Sequence, residues 1–164
     1  MSCGQLALQR AGIEVDNYFA CEIDKYAMEI TQKNFPNTIQ LGDVTKLKDW
    51  YATRTPYNSE PITLLLGGSP CQGFSFAGKQ LNFDDPRSKL FWEYVRLLKA
   101  LKPKYFLLEN VKMKKEFLEV ITDQVSACYP EHKSGDLFGG RIEPILINSA
   151  LVSAQSRQRY YWTN

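Results

Sequence analysis

Cys71 lies in a segment rich in glycine and proline that directly follows an apolar run at residues 62–66. A run of this length predicts a buried strand, and the glycines beside the cysteine allow a substrate to approach the backbone closely. The thiolate of an accessible cysteine is a strong nucleophile. A lone cysteine is also commonly a small buried apolar residue, so a structural role for Cys71 stands as the alternative.

Glu109 follows a second apolar run, at residues 105–108, in the same way. Ligands of α/β sheets bind at the carboxyl ends of the strands, so we expect the acid and the thiol to face one pocket. The alternative is that Glu109 caps the following helix or forms a surface ion pair.

Two arginines precede an aromatic run at residues 160–162. Side chains alternate along an extended segment, so Gln155, Arg157 and Arg159 are predicted to point the same way. Arginines at the edge of a sheet are mostly solvated. Two guanidinium groups beside an amide nevertheless suit an anionic or carbonyl-bearing ligand.

Two acidic residues stand where doubly wound folds hold a nucleotide-like cofactor. Glu22 follows a predicted strand at residues 15–21, and Asp43 follows another at residues 39–41. A carboxylate at the first position grips ribose hydroxyls, and one at the second is placed to contact an adenine edge. The alternative for Asp43 is that it caps the helix that follows it.

Predicted strands and helices alternate along the chain, which indicates an α/β fold with a mostly parallel sheet and helices on both faces. The last two strands have no helix between them, so they predict a C-terminal antiparallel hairpin. The predicted strands are 15–21, 39–41, 62–66, 105–108, 142–148 and 160–162, and the predicted helices are 5–10, 25–34, 47–52, 88–101 and 114–127.

Length and composition set further bounds. A chain of 164 residues with 44% hydrophobic residues is long enough for one compact domain. The four cysteines form no C-x-x-C pair and there is one histidine, so neither a metal site nor a disulfide framework is indicated. Neither a membrane-spanning run nor a signal peptide is evident, which predicts a cytoplasmic protein. A net charge of +2 says little about partners.

Three motifs, in this order, are similar to signature motifs of the cytosine-5 DNA methyltransferase family. They are Pro70-Cys71-Gln72, Glu109-Asn110-Val111 and Gln155-x-Arg157-x-Arg159, and the resemblance spans nearly the whole chain. It implies a Rossmann-like methyltransferase fold that uses S-adenosylmethionine. The implied reaction is methylation of carbon 5 of cytosine in double-stranded DNA, through a covalent adduct with Cys71 and base flipping.

The resemblance also implies a role for each matching position. Glu109 would hold or protonate ring nitrogen 3 of cytosine, and Arg157 with Arg159 would neutralise charge that develops on the base. The positions implied to bind S-adenosylmethionine are Ser2, Cys3, Gly4, Glu22, Ile23, Asp43, Val44, Pro70 and Leu90. Those implied to contact DNA are Gln72, Ser75, Lys79, Arg87 and Gln155.

Relative to the family pattern, residues 1–164 lack the first strand and the target-recognition domain. We therefore expect one catalytic domain with weak cofactor binding and little activity alone, acting in a restriction-modification or phage setting. A second polypeptide that carries the recognition domain is an expected partner. The alternatives are a non-catalytic or split regulatory subunit and an RNA cytosine-5 methyltransferase.

Overall fold

The computed structural model describes residues 2–47, 61–69, 89–130 and 140–164. The chain divides into two compact units, Met1–Glu60 and Pro61–Asn164, and both combine helices with strands. The predicted α/β class is therefore confirmed. None of the helices within the described ranges has the length and apolar character needed to cross a bilayer.

The first unit alternates helices with the two strands of a parallel pair. Its elements are α1 (Cys3–Arg10), β1 (Phe19–Ala20), α2 (Lys25–Asn34) and β2 (Ile39–Gln40). Helix α2 has the predicted bounds because both of its end signals are local. Asp24 caps the first turn by accepting a hydrogen bond from the Ala27 backbone at 2.9 Å, and Pro36 follows the last turn.

Strand β1 is shorter than the predicted strand at residues 15–21. Its ladder contains only Phe19 opposite Ile39 and Ala20 opposite Gln40. A strand extends only as far as its partner pairs with it, and β2 has two residues that pair. The sequence pattern alone therefore predicted too long a β1. Of the predicted helix at residues 47–52, only Leu47 lies within the described residues, and it is not helical.

The second unit is built on a four-stranded sheet. Its elements are β3 (Leu64–Gly68), α3 (Lys89–Leu101), β4 (Tyr105–Val111), α4 (Lys115–Ser126), β5 (Ile145–Asn148) and β6 (Gln158–Thr163). The strand order is β3-β4-β6-β5. Strand β3 is parallel to β4, and β6 is antiparallel to both β4 and β5. The predicted hairpin is confirmed, and the sheet is mixed because β6 runs opposite to the other three strands.

Strands β3 and β4 both extend beyond their predicted carboxyl ends. Gly67 and Gly68, which the sequence placed in a loop, pair with Leu108 and Glu109 and so continue the ladder. Strand β5, by contrast, begins at Ile145 and not at residue 142. Pro144 precedes it and has no backbone N–H to donate to a ladder.

One face of this sheet carries the core. Phe106 and Leu108 of β4 are fully buried, whereas Leu107 and Glu109, which face the other side of the sheet, are partly exposed. Trp162 of β6 lies opposite Leu108, is fully buried, and donates from Nε1 to Thr122 Oγ1 of α4 at 2.9 Å. Helix α4 is thereby fixed against the core face.

Helix α3 reaches the same face through Tyr94, which lies against Gly67. A Cβ atom on Gly67 would come within 2.4 Å of two Tyr94 ring atoms, closer than any real contact. Tyr94 is itself 7% exposed and part of the core cluster. The absence of a side chain at Gly67 is therefore a condition for packing α3 on β3.

We expect Gly67→Ala to lower the free energy of unfolding by about 1 to 3 kcal/mol, the usual cost of overpacking a core. Urea unfolding would measure the loss. The control is Tyr94→Ala, which removes the ring that the new methyl group meets. If Gly67→Ala is as costly in the Tyr94→Ala background as in the wild type, the contact with Tyr94 is not the cause.

Candidate active site

Glu109 lies within β4, close to its carboxyl end, and not after the strand as predicted. It pairs with Gly68 of β3 on one side and with Tyr161 of β6 on the other. Its side chain leaves the sheet on the face opposite the core and is 33% exposed. The cap position of α4 is occupied by Lys114, so Glu109 does not cap the following helix.

Both predicted arginines approach the Glu109 carboxylate. Arg159 Nε lies 2.8 Å from Glu109 Oε1, and Arg157 Nη2 lies 4.0 Å from the same oxygen. The Arg159 side chain is 17% exposed and that of Arg157 is 51% exposed. The cluster therefore carries one negative and two positive charges, a balance that suits an electron-rich or anionic ligand.

The closer contact is an ion pair without hydrogen-bond geometry. Arg159 Nε is buried and has no hydrogen-bond partner among the described residues, although Glu109 Oε1 is only 2.8 Å away. The N–H is therefore not directed at this oxygen. Charge attraction, and not a directional hydrogen bond, holds Arg159 beside Glu109.

Gly68 gives the carboxylate its space. A Cβ atom at this position would lie 3.1 Å from Glu109 Oε2, a tight contact. The sequence indicated only that the glycines allow a substrate to approach the backbone closely, so the packing role of Gly68 was missed. The signal that could have shown this role is a glycine at the end of β3, the strand that pairs with the one carrying Glu109.

Asn110 connects β4 to the residue that follows β3. It is 1% exposed, its Nδ2 donates to Ser69 Oγ at 3.0 Å, and its Oδ1 accepts from the Val111 backbone at 2.8 Å. Ser69 precedes Cys71 by two residues. The sequence treated Asn110 only as part of a motif, although a polar residue within an apolar strand is a sign of a buried hydrogen bond.

Gln155 and Arg157 both lie in the connection between β5 and β6, and of the three predicted residues only Arg159 lies within β6. It is exposed, and its backbone carbonyl accepts from Ser149 Oγ at 2.9 Å. Asn148 Oδ1 accepts from the backbone N–H groups of Ala150 and Arg157, at 3.1 and 2.9 Å. This network fixes the backbone that leads into the two arginines.

Leu90, which the resemblance implied to bind cofactor, lies on α3 and is partly buried. The other predicted site residues of this region lie outside the described residues. They are Pro70, Cys71, Gln72, Ser75, Lys79 and Arg87.

Glu22 lies just beyond β1 in the first unit. Its Oε1 accepts from the backbone N–H groups of Ile23 and Asp24, at 2.9 and 3.0 Å. These two bonds fix the carboxylate, and Oε2 has no hydrogen-bond partner within the described part of the chain. Ile23 beside it is 77% exposed and offers an apolar surface.

Asp43 lies beyond β2 and has the capping role that was the predicted alternative. Its Oδ1 accepts from Thr45 N at 2.9 Å and from Thr45 Oγ1 at 2.8 Å, which starts the 3-10 helix Val44–Lys46. These hydrogen bonds hold the pKa of the Asp43 carboxyl below its ordinary value. Because β1 and β2 are parallel, their carboxyl ends lie at one edge of the pair, with Glu22 and Asp43 just beyond them.

Ser2, Cys3 and Gly4 form the start of α1, where Ser2 is the cap residue. Ser2 Oγ donates to Thr31 Oγ1 of α2 at 3.3 Å. These residues thus belong to the same unit as Glu22 and Asp43. The described cysteines are free thiols, and the described residues contain no cluster of three or more metal-binding side chains.

The family profile described as C-5 cytosine-specific DNA methylase matches residues 2–162. The chain belongs to this family. The methylase motifs predicted from the sequence therefore identified the family correctly.

Individual methylases show the same relationship. The chain is 40% identical over 106 residues to the type II methyltransferase M.NgoBV of Neisseria gonorrhoeae, covering 65% of this chain and 23% of that protein. It is 34% identical over 165 residues to the orphan methyltransferase M.SPRI of Bacillus phage SPR, covering 96% of this chain and 34% of that protein.

A solved structure from Escherichia coli, described as a DNA modification methyltransferase encoded within a prophage, has the same fold. The identity is 30% and the TM-score 0.67, over 96% of this chain and 42% of that chain. The chain thus spans about a quarter to a third of these two curated methylases and less than half of the solved one.

We expect Arg159→Gln to lower the free energy of unfolding by about 1 to 2 kcal/mol, between the values typical of exposed and buried ion pairs. Arg157→Gln is the matched control, since it removes the same charge from a longer and more exposed contact, and should cost less than about 0.5 kcal/mol. Urea unfolding of both variants would compare them. Equal losses would contradict the assigned difference between the two arginines.

Proposed function

We propose that this chain carries the catalytic part of an enzyme that transfers a methyl group from S-adenosylmethionine to carbon 5 of cytosine in double-stranded DNA. The main support is that the Glu109 carboxylate pairs with Arg157 and Arg159. Glu109 lies on β4, next to β3, and β3 is the strand that precedes Pro70-Cys71 in the sequence. Membership of the methylase family supports the reaction class.

Cys71 acts as the nucleophile in this proposal. Its thiolate sulfur forms a bond to carbon 6 of cytosine, and the electron pair of the ring double bond moves to carbon 5. Carbon 5 would then take the methyl group that bound S-adenosylmethionine supplies, with the methyl–sulfur bond breaking to leave S-adenosylhomocysteine. Loss of the proton from carbon 5 to water restores the double bond, breaks the bond between carbon 6 and sulfur, and returns the thiolate.

The hydrogen bond between Asn110 and Ser69 supports the pairing of this thiol with Glu109. It ties the residue two positions before Cys71 to the strand that carries the acid. Two residues of extended chain span at most about 7 Å. Ser69 is therefore held at the carboxyl end of β4, against the residue that follows Glu109.

Glu109 binds or protonates ring nitrogen 3, which draws electrons away from carbon 6 and makes it a better electrophile. Arg159 keeps the carboxylate in place through their 2.8 Å contact. Arg157 is half-exposed, so its guanidinium group can also face the negative charge that develops on the base.

Carbon 6 is shielded inside a duplex, so the cytosine must leave the base stack, at a cost of a few kcal/mol. We propose that contacts with DNA come from five polar or basic residues. They are Gln72, Ser75, Lys79, Arg87 and Gln155.

The first unit has acceptors that fit the adenosyl part of S-adenosylmethionine, which when bound supplies an electrophilic methyl group. Glu22 Oε1 is held by two backbone N–H groups, which leaves Oε2 for ribose hydroxyls. Asp43 and Val44 at the neighbouring strand end would meet the adenine edge, and Ile23 offers it apolar surface. The remaining proposed contacts are Ser2, Cys3, Gly4, Pro70 and Leu90.

We expect the chain to form a covalent complex with duplex DNA that carries 5-fluorocytosine, because fluorine at carbon 5 cannot leave as a proton does. Trapping needs one turnover and its product accumulates, so the low activity expected of the chain alone does not prevent it. The complex should survive denaturing electrophoresis when S-adenosylmethionine is present. Cys71→Ser should abolish it, and Cys21→Ser is the control that should not. Trapping by Cys71→Ser at the wild-type yield would show that another group is the nucleophile.

We expect Glu22→Gln to weaken the binding of S-adenosylhomocysteine about tenfold or more. The substitution replaces a charged carboxylate acceptor by a neutral amide, which forms weaker hydrogen bonds with ribose hydroxyls. Calorimetric titration measures the change. Asp24→Asn is the matched control, since it makes the same substitution two residues away and keeps a good helix cap. An equal effect of both substitutions, or no effect of Glu22→Gln, would remove Glu22 from the cofactor site.

A further inference from the structure

Two exposed lysines stand at the carboxyl end of β4. Lys112 directly follows the strand and Lys115 is the first residue of α4. Lys112 Nζ donates to Gln158 Oε1 at 3.3 Å, which holds this ammonium group beside the start of β6. At a rise of about 3.3 Å per residue, Lys112 lies about 10 Å along the chain from Glu109.

Neither of these two charges is neutralised by an acidic partner in the described part of the chain. Within the described ranges neither lysine forms an ion pair, whereas Arg96 pairs with Glu93 and Arg141 pairs with Glu119. Lys115 also stands in the first turn of a helix, where a positive charge is repelled by the helix dipole. Ion pairing and the helix dipole therefore do not explain why lysines stand at positions 112 and 115.

Arg157 adds a third positive charge at this edge. It precedes β6, whose first residues pair with the last residues of β4, and its side chain is 51% exposed. We name Lys112 and Lys115, which follow β4, and Arg157, which precedes β6, the β4 basic edge. It shares Arg157 with the Glu109 cluster.

We infer that the β4 basic edge binds the sugar–phosphate backbone of duplex DNA beside the extruded cytosine. Phosphates of one strand recur about every 3.4 Å along the helix axis, so a cation about 10 Å from Glu109 reaches a phosphate within about three base pairs of the target. The inference rests on the proposed function and assigns DNA contacts to two lysines outside the methylase motifs.

The chain offers a matched control on the same strand. Lys102 and Lys104 are exposed and precede β4, so they lie at the opposite end of its seven residues. A strand of this length separates its two ends by about 20 Å. A contact confined to the three base pairs beside Glu109 therefore leaves the control pair out.

The experiment measures binding of a fluorescein-labelled 30-base-pair duplex of random sequence by anisotropy, over a series of sodium chloride concentrations. The proteins are the wild type, the double variant Lys112→Gln with Lys115→Gln, and the double variant Lys102→Gln with Lys104→Gln. Each lost phosphate contact lowers the slope of log Kd against log salt by about one. We expect the first double variant to lose about two from the slope and the control to lose nothing.

Replacement of Lys112 and Lys115 by arginine should keep the wild-type slope, because it keeps both charges. An unchanged slope in the glutamine variant, equal losses in both glutamine variants, or no binding by the wild type would overturn the inference. Trapping by 5-fluorocytosine at saturating DNA tests the proposed function separately. Its failure in the wild type rejects that function, whereas normal trapping with an unchanged salt slope rejects only the basic edge.

Discussion

The approach of Arg159 to Glu109 is the interaction on which the site of the second unit depends, and it depends in turn on the direction of β6. Because β6 runs antiparallel to β4, its first residues meet the last residues of β4, with Arg159 opposite Val111 and Tyr161 opposite Glu109. If β6 were parallel to β4, its last residues would lie beside the last residues of β4, and Arg159 would lie at the other end. The insertion of β6 between β4 and β5 thus brings together an acid and two arginines that are far apart in sequence.

An ion pair of this kind contributes more to position than to stability. Both partners are partly removed from water, which costs solvation energy that their attraction returns only in part. The pair also lacks hydrogen-bond geometry. What it supplies is a fixed carboxylate beside a second guanidinium group that remains accessible. A site for a neutral ring that gains charge during a reaction needs that arrangement.

The sequence predicted those features whose signals are local. Helix α2 has the predicted bounds because Asp24 and Pro36 mark its two ends. The strand bounds were predicted less well, since pairing between distant segments decides them. Glycine favours turns, so the sequence placed Gly67 and Gly68 in a loop. Both nevertheless pair with residues of β4 and belong to β3. The contact of Asn110 with Ser69, across 41 positions, has no local signal beyond a polar residue in an apolar strand. The role of Cys71 stays a prediction, because that residue lies outside the described ranges.

The two consecutive glycines of β3 couple packing to chemistry. Neighbouring residues of a strand face opposite sides of the sheet, so Gly67 receives the Tyr94 ring on the core face and Gly68 adjoins the Glu109 carboxylate on the other. A displacement of β3 by crowding at the first glycine also moves the second, and with it the start of the Cys71 segment. Loss of function after a change at Gly67 would therefore not identify a catalytic group. Only variants whose folding is measured separately can assign roles along this strand.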